Sequence, residues 1–235
     1  MAEAMRSLCL PDAKPCPCTL PLAKSLLVII DMQIDFLDPR GFGGMLGNDV
    51  SQCQPIIPAC SRLLSAWREA GGAVLYTLEA HLPDLSDCPP SKLNGPRAPP
   101  EGKRIGDVAC AELGRILVRG EPGNGVIPEL KPLPQEQVLY KPGKDMFYNT
   151  DVEELLRKGG YTHLLFTGVT TEVCVQTSMR CANDRGFECV LVTDCTASYF
   201  PHFKASVIEA VSAQGGIIGW TASSDEVLAA LNVGP

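Results

Sequence analysis

The amino-acid sequence predicts a single α/β domain, over residues 24–235, in which helices cover both faces of a mostly parallel sheet of about six strands. Two observations lead to this prediction: short apolar runs without alternation, typical of strands buried on both faces, and helical patterns between successive runs. Strands that alternate with helices in this way form a doubly wound, parallel sheet. The length of 235 residues, 45% of them hydrophobic, suffices for one large core.

The first half of the sheet is predicted from a strand, a helix and a second strand. Residues 25–30 form a continuous apolar run, a helical pattern over residues 56–70 stops at two glycines, and residues 73–78 form the next buried run. Residues 1–23, which contain four prolines, are interpreted as a loosely structured N-terminal arm that precedes the domain.

A long segment separates the two halves of the sheet. Residues 80–135 hold ten of the 20 prolines and lose the regular pattern. A segment of this length without strong periodicity is typical of a binding loop, a lid or a subunit contact. A flexible linker between domains is the alternative, but apolar stretches such as residues 114–117 disfavour a solvated tether. We therefore predict a proline-rich loop region within one domain.

The alternation of strands and helices returns after this region. Thr150 and Glu153 have the spacing of a capping box, which marks the start of a helix, and pairs of glycines mark helix ends. The predicted strands are residues 137–140, 163–167, 189–193 and 217–220, and the predicted helices are residues 150–158, 172–185, 203–213 and 224–231.

Charge and hydropathy exclude several classes of protein. The formal net charge of −7 disfavours a nucleic-acid partner, because such a partner requires positive charge opposite its phosphates. No apolar run approaches the roughly 20 residues of a membrane span. The N-terminus lacks the apolar segment of a secretory signal, so we expect a cytoplasmic protein. There the 11 cysteines are expected to be reduced thiols, and an odd number cannot pair completely.

Reactive side chains follow the carboxyl ends of three predicted strands. Ligands of open parallel sheets bind beyond these ends. Asp31 and Lys141 each come directly after a strand, and Cys174 comes after a strand and a short turn. We therefore predict that Asp31, Lys141 and Cys174 lie together at one edge of the sheet and perform nucleophilic chemistry.

Cys174 is the candidate nucleophile of this group. Its predicted position in the first turn of a helix favours a thiolate, because backbone N–H groups and the helix dipole stabilise negative charge there. Lys141 would lower the thiol pKa further, and Asp31 would act first as general base and then as general acid. From residue types alone, the alternatives are a small buried cysteine, a solvated lysine and a capping aspartate.

Other motifs carry weaker signals. A cysteine–histidine pair is disfavoured, although His81 lies at the end of the second strand. Residues 41–44 (GFGG) lack the spacing of a nucleotide-binding glycine motif and indicate a turn. Cys16 and Cys18 have the spacing of half a zinc site, but no second pair follows, so a metal is not expected there.

Three blocks of the sequence, in this order, resemble the isochorismatase-like cysteine hydrolases. The resemblance covers roughly residues 25–232. The blocks are residues 31–36 (DMQIDF), Lys141 followed by Phe147 and Thr150, and residues 168–175 (GVTTEVCV).

The resemblance implies a fold, a mechanism and a set of catalytic residues. The fold is Rossmann-like, and the catalytic triad is Asp31, Lys141 and Cys174. The peptide bond between Val169 and Thr170 is expected to be cis, and the backbone N–H groups of Thr170 and Cys174 are expected to form the oxyanion hole. Some relatives bind a metal through an aspartate and histidines after the second strand. Only His81 is available here, so the expectation is no metal and no cofactor.

Further blocks narrow the resemblance to the biuret hydrolases within this family. By that resemblance Lys144 and Gln214 bind the carbonyl oxygens of the substrate, and Phe36 lines its pocket. Cys174 would attack biuret, expel ammonia and form an acyl-enzyme that water hydrolyses to allophanate. The blocks are residues 81–87 (HLPDLSD), 104–106 (RIG), 114–123 (GRILVRGEPG), 141–144 (KPGK) and 213–216 (AQGG).

Several alternatives to biuret hydrolysis stay open. The same mechanism could act on triuret, ureidoacrylate or an N-carbamoyl compound, and a small ureido molecule is the expected partner in each case. A non-catalytic binding protein is disfavoured by the intact triad, and isochorismatase itself by Cys174, because its ether cleavage needs no thiol nucleophile. The resemblance also suggests a homo-oligomer, commonly a tetramer, in which the proline-rich loop region helps to close each site.

Overall fold

The computed structural model describes residues 6–93 and 103–232 of the chain. Its strands are β1 (Ser7–Leu10), β2 (Cys18–Pro21), β3 (Ser25–Ile30), β4 (Ala73–Glu79), β5 (Val108–Cys110), β6 (Gly114–Arg115), β7 (Gln137–Lys141), β8 (His163–Val169), β9 (Glu188–Ala197) and β10 (Trp220–Ala222). Its α-helices are α1 (Ile34–Leu37), α2 (Phe42–Met45), α3 (Ile57–Glu69), α4 (Pro90–Leu93), α5 (Val152–Lys158), α6 (Gln176–Asp184), α7 (Pro201–Gly216) and α8 (Ser224–Asn232). Short 3₁₀ helices span Leu22–Lys24, Val50–Gln52, Gln54–Ile56, Pro122–Asn124 and Pro128–Leu130, and Thr171–Val175 forms a π-helical turn.

Six of these strands form the central sheet, in the order β10-β9-β8-β3-β4-β7. Every neighbouring pair is parallel, which confirms the predicted α/β fold and its six strands. The chain builds β3, β4 and β7 in one direction, then returns to the other side of β3 and adds β8, β9 and β10. The strand order therefore reverses between β3 and β8, the position where open parallel sheets bind their ligands.

The two faces of the sheet are covered by different helices. Successive side chains of β3 point to opposite faces, so Leu27 and Ile29 join one apolar cluster and Leu26 and Val28 the other. The first cluster includes side chains of α3 and α8, and the second those of α5, α6 and α7. Burial on both faces explains why the strands appear in the sequence as continuous apolar runs.

The N-terminal arm is more ordered than the sequence predicts. Strands β1 and β2 pair in an antiparallel hairpin, and Leu8, Leu10 and Leu20 are fully buried in the core. Lys14 also pairs through its backbone with Thr221 at the edge of the central sheet. The interpretation of residues 6–23 as a loose arm is therefore wrong, because apolar side chains at alternate positions give the hairpin a buried face. Residues 1–5 lie outside the described part of the chain.

The proline-rich loop region folds onto the carboxyl edge of the sheet. It contains α4, the short pair β5 and β6 and two 3₁₀ helices. Ile116, Leu117 and Val118 are buried, which supports the prediction that residues 80–135 are not a solvated tether. Residues 94–102 of this region lie outside the described residues.

Several local boundaries differ from the sequence prediction, among them the start of α5 and the start of the last strand. The capping box does not form, because the Thr150 hydroxyl donates to the carbonyl of Met146 and Asp151 precedes the helix without a side-chain cap. The predicted last strand, residues 217–220, starts three residues too early, since the end of α7 is kinked where Ala213, Gln214 and Gly215 leave helical geometry, and β10 begins only at Trp220. Across the described residues, no helix combines the length and the apolar character that crossing a membrane requires.

Asp35 on α1 is a buried carboxyl group with incomplete hydrogen bonding. Its Oδ2 accepts the backbone N–H of Leu117 at 3.0 Å, whereas Oδ1 has no partner among the described residues. Burial raises the pKa of Asp35 to about 6, the Leu117 N–H opposes this shift, and the charge of Glu121 adds to it. The folded chain therefore binds the Asp35 proton more tightly than the unfolded chain does.

We expect the loss of this proton to make the protein less stable as the pH rises from about 4 to above 6. The bound proton stabilises the folded protein fully at pH values below the pKa that Asp35 has in the unfolded chain. This stabilisation, about 3 kcal/mol in total, is lost as the pH rises through the pKa of Asp35 in the folded chain. Asp35→Asn removes the titrating group, so its free energy of unfolding should change less over this range and exceed that of the wild type at neutral pH. Urea unfolding of both proteins at several pH values measures the effect, and parallel pH profiles would contradict it.

Candidate active site

Four reactive side chains meet at the carboxyl edge of the sheet. Asp31 follows β3 directly, Glu79 ends β4, Lys141 ends β7, and Cys174 lies in the π-helical turn after β8. Because parallel strands bring their carboxyl ends to the same edge, four strands far apart in sequence deliver these side chains to one place. The structure thus brings Asp31, Lys141 and Cys174 together and adds Glu79.

A glycine allows the two central strands to approach closely next to this site. Gly168 near the end of β8 has φ of +102°, and a Cβ there would lie 1.9 Å from the carbonyl oxygen of Ile30. Any other residue would clash with the β3 backbone, just before Asp31. Gly168 therefore fixes how closely the turn that carries Cys174 approaches Asp31.

Asp31 and Lys141 form a fully buried ion pair. The Lys141 Nζ lies 2.7 Å from Asp31 Oδ2 and also donates to the carbonyl of Gly143 at 2.9 Å, and the hydroxyl of Thr77 donates to Asp31 Oδ1 at 2.7 Å. Burial raises the pKa of Asp31 against the opposing charge of Lys141. Burial alone would lower the pKa of Lys141, but the charges of Asp31, Cys174 and Glu79 raise it, so the ammonium is retained.

The Cys174 thiol is buried between charged groups of both signs. Its Sγ lies 3.6 Å from Glu79 Oε2, which accepts its hydrogen bond. Burial raises the pKa of Cys174 well above its ordinary range, Lys141 opposes the shift, and Asp31 and Glu79 add to it. The expected thiolate is therefore not the resting form, because burial of the thiol, together with the charges of Asp31 and Glu79, outweighs the effect of Lys141 on its pKa. The geometry instead favours transfer of the thiol proton to a neighbouring carboxylate during attack.

Glu79 is the site residue that the sequence reasoning missed. The side-chain amide of Gln33 accepts the backbone N–H of Glu79 at 2.8 Å and donates to the backbone carbonyl of Glu79 at 3.1 Å. The side-chain amide of Asn124 donates to the same carbonyl at 2.9 Å. These buried hydrogen bonds hold the end of β4 in place. A signal was present, because an acidic residue ends a buried strand here just as Asp31 follows one.

Lys92 brings the loop region into the site. Its Nζ donates to Glu79 Oε1 at 2.5 Å and to the carbonyl of Pro142 at 2.9 Å, and lies 2.9 Å from His81 Nε2. Burial, and next the charge of Lys92, lower the pKa of His81 to about 4. His81 is therefore neutral at physiological pH and can accept the Lys92 hydrogen bond, which agrees with the expectation that it does not pair with Cys174.

A cavity of about 340 Å³ opens next to the thiol. Of the predicted substrate-binding residues, Phe36 and Lys144 line it, together with Thr170 and Cys174. Gln214 does not line it and is exposed on the surface, in a left-handed backbone conformation with φ of +52°. Other residues of the lining are Phe42, Leu46, Asn48, Glu79, Ser91, Lys92, Lys103, Arg104, Ile105, Val169, Glu172, Val173, Tyr199 and Phe200.

The turn before the nucleophile has the predicted backbone. The peptide bond between Val169 and Thr170 is cis, as the sequence resemblance implies. Thr170 accepts the N–H groups of Val173 and Val175 through its carbonyl, which winds the π-helical turn around the thiol. The oxyanion hole formed by the N–H groups of Thr170 and Cys174 stays a prediction.

Three side chains at this site have the composition of a metal site. Ligand atoms of Asp31, Glu79 and Cys174 lie within 4.8 Å of one another, the one such group of histidine, cysteine or acidic residues among the residues described here. The Lys141 Nζ lies 2.7 Å from Asp31 and 3.9 Å from Glu79. The ammonium therefore already supplies positive charge to both carboxylates.

Comparisons of the sequence and of the structure with known proteins agree on one family. The model of the isochorismatase domain matches residues 25–223. A ureidoacrylate amidohydrolase of Cronobacter sakazakii is 31% identical over 81% of this chain and 82% of its own length, and one of Yersinia enterocolitica is 28% identical over 82% and 83%.

A solved structure supports the same relationship. The isochorismatase family protein of Desulfovibrio vulgaris superposes with a TM-score of 0.70 at 28% identity, over 88% of this chain and 98% of its own. The family model covers most of the sequence, including Asp31, Lys141 and Cys174. The chain belongs to the isochorismatase family of hydrolases.

Proposed function

We propose that this protein is a cysteine-dependent amidohydrolase that hydrolyses a ureido compound through a covalent acyl-thioenzyme. The observation that carries the proposal is a buried thiol, 3.6 Å from a carboxylate and beside a buried aspartate–lysine pair, that opens to a small cavity. The similarity to two ureidoacrylate amidohydrolases supports the ureido group as the chemical class of substrate.

The proposed reaction has two chemical stages. In the first, Sγ of Cys174 bonds to the substrate carbonyl carbon while Asp31 takes the thiol proton and passes it to the leaving nitrogen. The ammonium of Lys141 favours the ionised form of Asp31 against the effect of burial, and the N–H groups of Thr170 and Cys174 would stabilise the oxyanion. In the second, water breaks the carbon–sulfur bond and restores the thiol. No cofactor takes part in this scheme.

Biuret is our leading candidate for the substrate. It is small, planar and uncharged, with two carbonyl groups, and burying it requires a partner for each polar group, since an unpaired one costs about 1 to 3 kcal/mol. Lys144 lines the cavity and would bind one carbonyl oxygen, next to the ring of Phe36. The products would be ammonia and allophanate.

An anionic ureido compound such as ureidoacrylate is the second candidate. Lys103, Arg104 and Lys144 line the same cavity and would attract a substrate carboxylate. The names of the similar curated proteins point in the same direction. Triuret and N-carbamoyl compounds share the ureido group and belong in the same comparison.

A substrate panel tests the proposed function. We expect ammonia release from at least one of biuret, triuret, ureidoacrylate and an N-carbamoyl amino acid, with the highest kcat/KM for biuret. Steady-state rates at matched concentrations give the ranking. If kcat/KM is higher for ureidoacrylate than for biuret, the anionic ureido compound is the better substrate. If the enzyme turns over none of the four compounds, the proposed function is wrong.

We also propose that the enzyme is a homo-oligomer, and a tetramer in particular. Large apolar side chains are exposed at the two ends of α7: Phe200 before the helix, Phe203 in its first turn and Ile217 after it are between 43% and 61% exposed. Gln214 lies in the same surface segment, so a substrate contact by Gln214 would require a second copy of the chain. Light scattering measures the mass of the assembly.

A further inference from the structure

A second carboxylate lies at the nucleophile, and the two-stage reaction needs a base twice. The first stage removes a proton from the Cys174 thiol, and the second removes one from the attacking water. Asp31 and Glu79 both lie beside the thiol, but their surroundings differ. Hydrogen bonds and access to the cavity indicate which carboxylate serves the water.

Both oxygens of Asp31 are engaged by buried donors. Lys141 donates to Oδ2 and Thr77 to Oδ1, each at 2.7 Å, and the side chain is fully buried. Asp31 is thereby fixed next to the thiol and Lys141. A water that approached Asp31 would have to compete with these two hydrogen bonds in a region of low dielectric constant.

Glu79 has one engaged oxygen and one that faces the reacting atoms. Lys92 donates to Oε1, whereas Oε2 accepts the Cys174 thiol at 3.6 Å. The side chain of Glu79 also forms part of the cavity wall. Once Cys174 is acylated, Oε2 loses its thiol donor. It remains 3.9 Å from the Lys141 Nζ, beyond hydrogen-bond distance, and can accept a proton from the water that attacks the acyl carbon.

The charges around Glu79 keep its carboxylate ionised, which is the form that a general base needs. Burial opposes ionisation, but the ammonium groups of Lys141 and Lys92 outweigh it and hold the pKa of Glu79 below its usual range. The backbone of Glu79 is fixed by Gln33 and Asn124, so its carboxylate is held in position before the acyl group forms. Such positioning is what general-base catalysis requires.

We propose that Glu79 is the general base of the second stage, and this inference rests on the proposed acyl-thioenzyme. Water forms a carbon–oxygen bond to the acyl carbon and gives its proton to Glu79 Oε2. The carbon–sulfur bond then breaks, and the same proton passes from Glu79 to Sγ. The acid product leaves, the thiol is restored and Glu79 is again ionised.

Glu79→Gln tests the proposal, because glutamine keeps the size of the side chain but cannot take the proton. With biuret, we expect this variant to release about one ammonia per site at a near-normal rate and then to turn over about 10²- to 10⁴-fold more slowly than wild type. Quenched samples should carry the mass of the enzyme plus biuret less ammonia. Hydroxylamine, which needs no base, should release this acyl group. If ureidoacrylate leads the substrate panel, it replaces biuret.

Asp31→Asn is the matched comparison, since it should give neither the ammonia burst nor the acyl-enzyme. The proposal is overturned if Glu79→Gln turns over like the wild type, or if it too fails to form the acyl-enzyme. If Glu79→Gln does not fold, Lys92→Met provides the test. Loss of the Lys92 charge should raise the pKa of Glu79, so the turnover rate should begin to fall at a higher pH on the acidic side of its pH profile. An unchanged pH profile would contradict the role of Glu79. Failure of wild type to turn over any ureido compound would instead overturn the proposed function.

Discussion

Replacing Cys174 with alanine is expected to lower the turnover of ureido substrates by about 10⁴-fold or more, because the acyl group has no other atom to which it can bond. The fold should be unaffected, since alanine fills less space and the turn is held by backbone hydrogen bonds to Thr170. Ammonia release by the purified variant measures the loss, and thermal unfolding confirms the fold.

A second cysteine provides the matched control. Cys181 lies on the same stretch of helix, in α6, but is only half-buried and does not line the cavity. Cys181→Ala should therefore keep the wild-type rate and should still react with thiol reagents at Cys174. Equal rates for wild type and Cys174→Ala would contradict the covalent mechanism.

Lys141→Met is expected to lower the free energy of unfolding more than the other proposed substitutions do, and to abolish activity as well. It would leave the carboxylate of Asp31 buried without its counter-ion, in a place where Asp31 and Lys141 are both fully buried and 2.7 Å apart. Removing one partner of a buried ion pair costs about 3 to 5 kcal/mol. Denaturant unfolding should show this loss, and turnover should be abolished.

The double variant separates the two effects. Asp31→Asn combined with Lys141→Met removes both charges, so stability should return towards that of the wild type, whereas activity should not return. A double-mutant cycle gives the coupling free energy of the pair. If Lys141→Met alone is as stable as the wild type, the ion pair does not have the role assigned to it here.

The sheet and three site residues were predictable because they depend on local pattern. Buried strands appear as unbroken apolar runs, and a parallel sheet brings their carboxyl ends together, so Asp31, Lys141 and Cys174 could be placed at one edge. The resemblance to a family then added the cis peptide before Thr170, which the structure confirms. Periodicity alone does not show a cis peptide.

Contacts between distant segments were not predictable from local pattern. The role of Lys92 depends on how the proline-rich loop region folds over β4, where it pairs with Glu79 and His81. The pKa of Cys174 depends on such contacts as well: burial of the thiol in the folded chain raises it, Lys141 opposes the shift, and the charges of Asp31 and Glu79 add to it, so the thiolate expected from Lys141 and the helix start is not the resting form. The N-terminal hairpin likewise depends on packing against the finished sheet.

Covalent catalysis by Cys174 is tested by the mass of the enzyme during turnover. Wild-type protein and Cys174→Ala are mixed with the best ureido substrate, quenched in acid and analysed intact and after digestion. Covalent catalysis predicts an acyl adduct on the peptide that contains Cys174 in the wild type, removable by hydroxylamine, and none in the variant. If the wild type turns over substrate without any adduct on Cys174, and Cys174→Ala keeps this activity, the covalent mechanism is contradicted.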